Sequence, residues 1–197
     1  LECPIDFAKQ VESILADDGI WHLEQSYMPM MLRNNSYDTI CHEHLEYYSL
    51  GVIKYIMDAA NLKLIDVTTN DINGGSFAIT VAKANSTLKS NTSLINWYLK
   101  QEKKLGLDTE KPYVEFAERT VEHRRMFKEL LDSLIADGKL VCGYGASTKG
   151  NVLLQYCSIT EKQIKIIGEV NPDKFGTFTP ATYIPIDDEA KVKEMNP

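Results

Sequence analysis

Apolar residues first recur at helical spacing over Phe7, Ala8, Val11, Ile14 and Leu15, and Asp17-Asp18-Gly19 ends that helix. Ile20 to Gln25 reads as a buried strand, and a polar, Met-rich loop runs from Ser26 to Asn35. Ser49 is placed to cap a helix whose apolar face is Leu50, Val52, Ile53, Ile56 and Met57. Asn61, which tolerates a left-handed backbone, ends it. Leu62 to Thr68 and Phe77 to Lys83 read as strands, joined by an Asn73-Gly74-Gly75-Ser76 turn, and are expected to pair antiparallel.

The pattern changes at Asn85-Ser86-Thr87. From Thr92 to Asp137 it is helical, with one helix marked by Leu94, Ile95, Tyr98 and Leu99. A longer one is marked by Tyr113, Phe116, Val121, Phe127, Leu131 and Leu134, and the charged faces of both read as solvated. A β–α–β signature follows. Lys139 to Cys142 is a strand entering the glycine-rich turn Gly143-Tyr144-Gly145-Ala146-Ser147-Thr148-Lys149-Gly150, Asn151 to Cys157 is a helix, and Ile164 to Gly168 is a second strand. The Pro- and Thr-rich stretch from Asn171 to Ile186 reads as a rigid surface loop at the edge where α/β folds bind ligands. The fold class is therefore α/β, and a chain of this length suits one domain of ordinary size or two small ones.

Composition narrows the function. The chain has 197 residues, 44% hydrophobic and 25% charged, as a soluble globular protein does. A net charge of −7 argues against general attraction to nucleic acid. No apolar run is long enough for a membrane span, and no signal-peptide pattern is seen. Four scattered cysteines fit free thiols in a reducing, cytoplasmic compartment. The chain opens on Leu1-Glu2-Cys3-Pro4 without a methionine, so a piece of a longer protein is expected.

Two segments hold candidate chemistry. In Cys41-His42-Glu43-His44, imidazoles that titrate near neutral pH flank a carboxylate able to orient a ring or act as a second base. A hydrogen-bonded structural segment and a metal site are the competing readings. The metal reading is the weaker, because Cys3, Cys142 and Cys157 stand apart and no second ligand pair follows. The glycine-rich turn places backbone amides and a helix N-terminus where an anion can sit. Its Gly-x-Gly-x-x-x-x-Gly spacing differs from the dinucleotide fingerprint, yet Glu169 stands where such folds place a ribose-binding acid. An NAD-dependent oxidoreductase, a non-catalytic nucleotide-binding module and a plain tight turn all remain open at this point.

Several motifs together resemble one family. Tyr37-Asp-Thr-Ile-Cys-His-Glu-His-Leu-Glu-Tyr-Tyr-Ser-Leu50, Asn73-Gly-Gly-Ser76, Tyr144-Gly-Ala-Ser-Thr-Lys-Gly-Asn151, and Asn171-Pro-Asp-Lys-Phe-Gly176 with Pro180-Ala-Thr-Tyr-Ile-Pro-Ile186 occur in order and cover nearly the whole chain. This is similar to the C-terminal part of the S-adenosylmethionine-dependent sugar C-methyltransferases, which methylate C3 of nucleotide-linked 4-keto-deoxysugars. The resemblance implies that residues 1–86 are the tail of a Rossmann-like methyltransferase domain, with Ile20 to Gln25 its fifth strand and the later strand pair its antiparallel edge. Residues 87–197 would be a helical linker and a small Rossmann-like substrate domain. Most of the S-adenosylmethionine site, and a zinc-binding region, would lie upstream of this chain. The resemblance also implies that His44 is the base that removes the C3 proton and Glu43 its sugar-orienting or proton-handling partner. Cys41 stands where the family has tyrosine, a departure that replaces a phenol by a weaker donor. The family's C-terminal domain helps hold the nucleotide-linked sugar, and the resemblance makes Tyr144, Lys149, Asn151, Asn171 and Lys174 the candidates for that role. Ala181 stands where the family usually has glycine.

Overall fold

A computed structural model of the chain describes residues 2–197. They divide into two units: one runs up to Ser36 and resumes over Leu45–Phe116, and the other comprises Tyr37–His44 and Ala117–Pro197.

In the first unit α1 (Pro4–Ile14) starts on a proline, whose fixed φ suits a first helical turn. β1 (Ile20–Ser26), α2 (Met28–Asn34), α3 (Leu50–Ala59), β2 (Leu62–Asn70), β3 (Ser76–Lys83) and α4 (Thr92–Leu105) follow. The strands form an antiparallel sheet in the order β1-β3-β2, so the expected pair of 62–68 and 77–83 exists and gains a third member. β3 is central and buried along most of its length. Phe77, Ile79 and Val81 share one core with Leu50, Ile53, Ile56 and Met57 of α3 and with Leu62, Leu64 and Val67 of β2. Ser49 caps α3 as expected, accepting from the Val52 amide, and Asn61 takes φ +62 behind it.

Two expectations are corrected in this unit. Among the described residues β1 lies at the edge of the sheet with alternating exposure, not buried on both sides: Trp21 and Leu23 pack on the core while Ile20, His22 and Glu24 are exposed. Part of the stretch expected as a loop over 26–35 is the helix α2, which buries Pro29, Met31 and Leu32 and ends at Asn35 with φ +55. Its seven residues span only two turns, too short for a periodic signal. The Asn73–Ser76 motif has a packing cause. Gly75 takes φ +126, and a Cβ there would lie 2.4 Å from the Cβ of Met30. Its carbonyl accepts from the Tyr27 amide at 3.0 Å. At residue 86 the backbone is fastened rather than loose: Asp18 Oδ1 accepts from Ser86 Oγ, Thr87 N and Thr87 Oγ1.

The buried carboxylate of Glu102 ties α4 to the start of α3. Oε1 accepts from Leu50 N at 2.6 Å and from the Tyr27 hydroxyl at 2.9 Å, and Oε2 accepts from Gly51 N at 2.8 Å. It thereby satisfies two amides that a helix N-terminus leaves without an intrahelical partner, and its negative charge suits that end of the dipole. Burial beside this carboxylate pushes the Tyr27 phenol far above its ordinary pKa.

In the second unit the ordered elements are most of α5 (Lys111–Ala136), then β4 (Gly143–Tyr144), α6 (Thr148–Cys157), β5 (Ile167–Glu169), β6 (Ile186–Asp188) and α7 (Glu189–Glu194). The sheet is parallel, in the order β4-β5-β6, and β4-α6-β5 is the anticipated β–α–β unit. The first strand begins later than expected from 139–142 and runs into the glycine turn. Gly143 sits inside it because a Cβ would approach Ile167 Cγ1 to 2.8 Å. The second strand likewise starts at Ile167, after a turn in which Thr160 accepts from the Gln163 and Ile164 amides. The Pro- and Thr-rich stretch is not wholly a surface loop. Thr179, Thr182, Ile184 and Ile186 are buried, Thr179 Oγ1 accepts from Ile184 N at 2.9 Å, and β6 closes the sheet. Ala181 lies in its turn with φ +65, a conformation that suits glycine better than alanine.

Replacing Glu102 with Ala is expected to lower unfolding stability by about 3 kcal/mol, because it strands buried donors on Tyr27, Leu50 and Gly51. Urea denaturation of wild type and variant measures the loss. Ala181→Gly is expected to raise stability by about 0.5–1 kcal/mol by relieving the left-handed alanine, read as a shift of the midpoint in the same experiment.

Candidate functional site

The Cys41–His44 run is held by two tight turns. The Ile40 amide donates to Tyr37 O at 3.0 Å and the His44 amide to Cys41 O at 3.1 Å. His42, Glu43 and His44 are exposed, and Cys41 is half-buried. The thiol of Cys41 points to Glu43 Oε2 at 3.9 Å, a weak contact. Among the described residues neither the His42 nor the His44 imidazole enters a side-chain hydrogen bond or ion pair. Two accessible imidazoles thus flank a glutamate along this exposed run. Among the described residues no group of three or more His, Cys, Asp or Glu is arranged to hold a metal ion.

Upstream, Tyr37 is buried, in a short 3-10 turn (Tyr37–Thr39). Its hydroxyl hydrogen-bonds with His123 Nδ1 at 2.8 Å and lies 3.5 Å from Cys157 Sγ. Burial pushes this phenol well above its ordinary pKa, with the Cys157 contact adding to the effect. Sequence reasoning missed these partners because His123 and Cys157 lie in unrelated helical stretches, separated from Tyr37 by 86 and 120 residues.

The other candidate positions belong to the same unit. Tyr144 is 73% exposed at the end of β4, with the Lys193 ammonium 5.8 Å from its ring centre. A hydrogen bond to the Glu189 carboxylate raises its phenol pKa. Lys149 and Asn151 are half-buried in the first turn of α6, whose cap Ser147 accepts from Gly150 N. Asn171 is exposed, and its Oδ1 accepts from Asp173 N at 3.0 Å. Lys174 turns inward, donating to Ala146 O at 2.7 Å and to Glu169 Oε2 at 3.1 Å.

Glu169 departs most from its expected role. Oε1 accepts from Val170 N and Asn171 N, and Oε2 from Ala146 N and Lys174 Nζ. The Asn171 and Ala146 amides, with Lys174 and Val170, hold this carboxyl down to about 2. A carboxylate filled by four donors has no oxygen lone pair left for a ribose hydroxyl. The acid that suggested NAD is instead the clasp of the glycine turn, and the oxidoreductase reading loses that support.

Residues 71–197 match the family model described as the C-methyltransferase C-terminal domain. The chain belongs to the C-methyltransferase family. The C-methyltransferase NovU of Streptomyces niveus is 37% identical over 176 residues, which are 89% of this chain and 42% of NovU. The chain thus spans less than half the length of this C-methyltransferase relative. No helix among the described residues is long and apolar enough to cross a membrane. Cys3, Cys41, Cys142 and Cys157 are all unpaired thiols.

The Glu169 clasp sets a pH dependence. Its folded pKa, about 2, lies below the ordinary 4.5, so its stabilisation is complete above pH 4.5 and is lost as the pH falls through 2. Chemical denaturation followed from pH 6 to pH 2 is expected to show a steeper loss for wild type than for Glu169→Gln. Parallel curves would assign the acid loss to other carboxylates.

Proposed function

We propose that this chain is part of an S-adenosylmethionine-dependent C-methyltransferase that acts on a nucleotide-linked 4-keto-deoxysugar in deoxysugar biosynthesis. The observation that supports this is the exposed, uncommitted His44 beside Glu43, in a family that methylates carbon. A saturated carbon next to a ketone becomes nucleophilic towards an electrophilic methyl group only once it has lost its proton. A 4-ketone acidifies the neighbouring C3–H, and an imidazole near its working pH is the natural acceptor.

On this reading the His44 imidazole takes the C3 proton, and the C3–H electron pair moves into the C3–C4 bond as the C4 oxygen becomes an enolate. Glu43 orients the sugar or relays the proton. Cys41 lies beside them, and its thiol offers the enolate a weaker hydrogen bond than a tyrosine in its place. Tyr144, Lys149 and Asn151 face the nucleotide around the start of α6, while Asn171 and Lys174 shape the adjoining loop. In this division residues 1–86 are the end of the methyltransferase domain, and 87–197 are a helical linker and a Rossmann-like substrate domain.

S-adenosylmethionine supplies an electrophilic methyl group when bound. The β4–α6 glycine turn does not suit its ribose, because Glu169 is already filled by protein donors. The donor site is therefore sought upstream, where zinc ligands are also expected. No nucleic acid or membrane is called for, and the free thiols are in keeping with a cytoplasmic protein.

In the whole protein that carries this segment, His44→Ala is expected to lower methyl transfer to a 4-keto sugar nucleotide by about 10³-fold. It should equally suppress deuterium exchange at C3 in heavy water. Turnover and exchange at wild-type rates would overturn the base assignment. Binding of the sugar nucleotide without turnover in the wild-type protein would favour a non-catalytic nucleotide-binding module.

A further inference from the structure

The Cys41–His44 run leads an unusual existence in the chain. Residues before Tyr37 and after His44 belong to the first unit, yet these eight residues pack with the second. An exposed stretch of so few residues gains little from its own contacts, so something must hold it there. Only Tyr37 and Thr39 of the eight are buried, and Tyr37 is the larger.

The surroundings of Tyr37 are built around its ring. His123 stands edge-on to it at 5.6 Å between centres and Tyr156 at 5.1 Å, both in the T-shaped arrangement aromatic pairs favour. Each wall is itself fixed. His123 stacks on Phe127 at 5.8 Å, while the Tyr156 hydroxyl lies 3.3 Å from Thr120 Oγ1 and its ring carries the Arg124 guanidinium at 5.5 Å. At the base of the socket the Tyr37 hydroxyl meets His123 Nδ1 and Cys157 Sγ, and Cys157 is fully buried. A phenylalanine would fill the same socket but lack the atom that fixes its rotation and depth.

We propose that Tyr37 is the positioning residue of the Cys41–His44 run: its hydroxyl, seated on His123 between α5 and α6, sets the placement of the two turns that present His44. The chain of contact is short. Tyr37 O accepts the Ile40 amide, and the next turn closes from Cys41 O to the His44 amide. A displacement of Tyr37 is passed to His44 through these two bonds. Proton abstraction is sensitive to such shifts, since misplacement by about 1 Å costs on the order of 10²-fold in rate.

The inference rests on the reading of His44 as base, and the test separates the two. Tyr37→Phe keeps the ring and removes only the hydroxyl. In this chain, hydrogen exchange of the Ile40 and His44 amides is expected to speed up by about 10-fold, with the Ile53 amide of α3 unchanged. In the whole enzyme, kcat should fall by about 10-fold with KM for the sugar nucleotide unchanged. His123→Ala should reproduce both effects, and the double variant should add nothing further. Exchange at the wild-type rate in Tyr37→Phe would overturn the proposal. So would faster exchange with unaltered kcat in an enzyme that His44→Ala inactivates. If His44→Ala retains turnover, the base assignment fails, while the amide exchange still decides whether Tyr37 holds the run.

Discussion

Four donors converge on the Glu169 carboxylate, and the second unit is arranged around that convergence. Ala146 belongs to the glycine turn, Val170 and Asn171 directly follow β5, and Lys174 ends the short 3-10 turn Pro172–Lys174. One side chain thus fastens the turn beyond β4 to the segment beyond β5, past the last rungs of the β4–β5 ladder. A carboxylate can do this because it is an acceptor only, with capacity for about four hydrogen bonds. Lys174 completes the arrangement by also donating to Ala146 O, so the turn is held through both its amide and its carbonyl. The candidate residues Tyr144, Lys149 and Asn151 inherit their placement from this clasp, since they lie in or just beyond the turn it closes.

The first unit solves a similar problem with Glu102. There the carboxylate comes from the last turn of α4 and meets the first amides of α3, with Tyr27 as a third donor from the core. In both cases both oxygens of a buried carboxyl side chain are hydrogen-bonded, which offsets the cost of taking it out of water. Neither acid needs to touch a ligand to be indispensable. Both would be misread as ligand contacts from their residue type alone.

How much of this could be seen in the sequence depended on how local each cause is. The spacing of apolar residues was sufficient for α1, α3 and α4, and the alternation of Phe77 to Lys83 for β3, because those patterns repeat over whole elements. It failed for α2 and for β6, whose seven and three residues contain too few repeats to register. Trp21 and Leu23 were legible as strand residues, but not that β1 lies at an edge, since strand order is decided by distant partners. The Cys41–His44 run was visible as candidate chemistry. Its anchor was not, because Tyr37, His123 and Cys157 come together only through the packing of α5 and α6. Glu102 was hidden in the charged tract Gln101-Glu102-Lys103-Lys104, where a solvated face is the ordinary expectation. Glu169 was noticed for its position and mistaken in its direction.

The detour of residues 37–44 has a consequence for anyone who would take the chain apart. Because the first unit is interrupted by a segment of the second, no single cut in the backbone yields both units whole. A C-terminal piece starting at Ala117 would retain His123, Tyr156 and Cys157 but leave their aromatic socket unfilled. An N-terminal piece ending at Phe116 would carry a loose tyrosine and the histidine pair with nothing to seat them. Dissection into independently soluble halves therefore calls for a supplied peptide or a rearranged order of segments, with Tyr37–His44 grafted onto the piece that receives it.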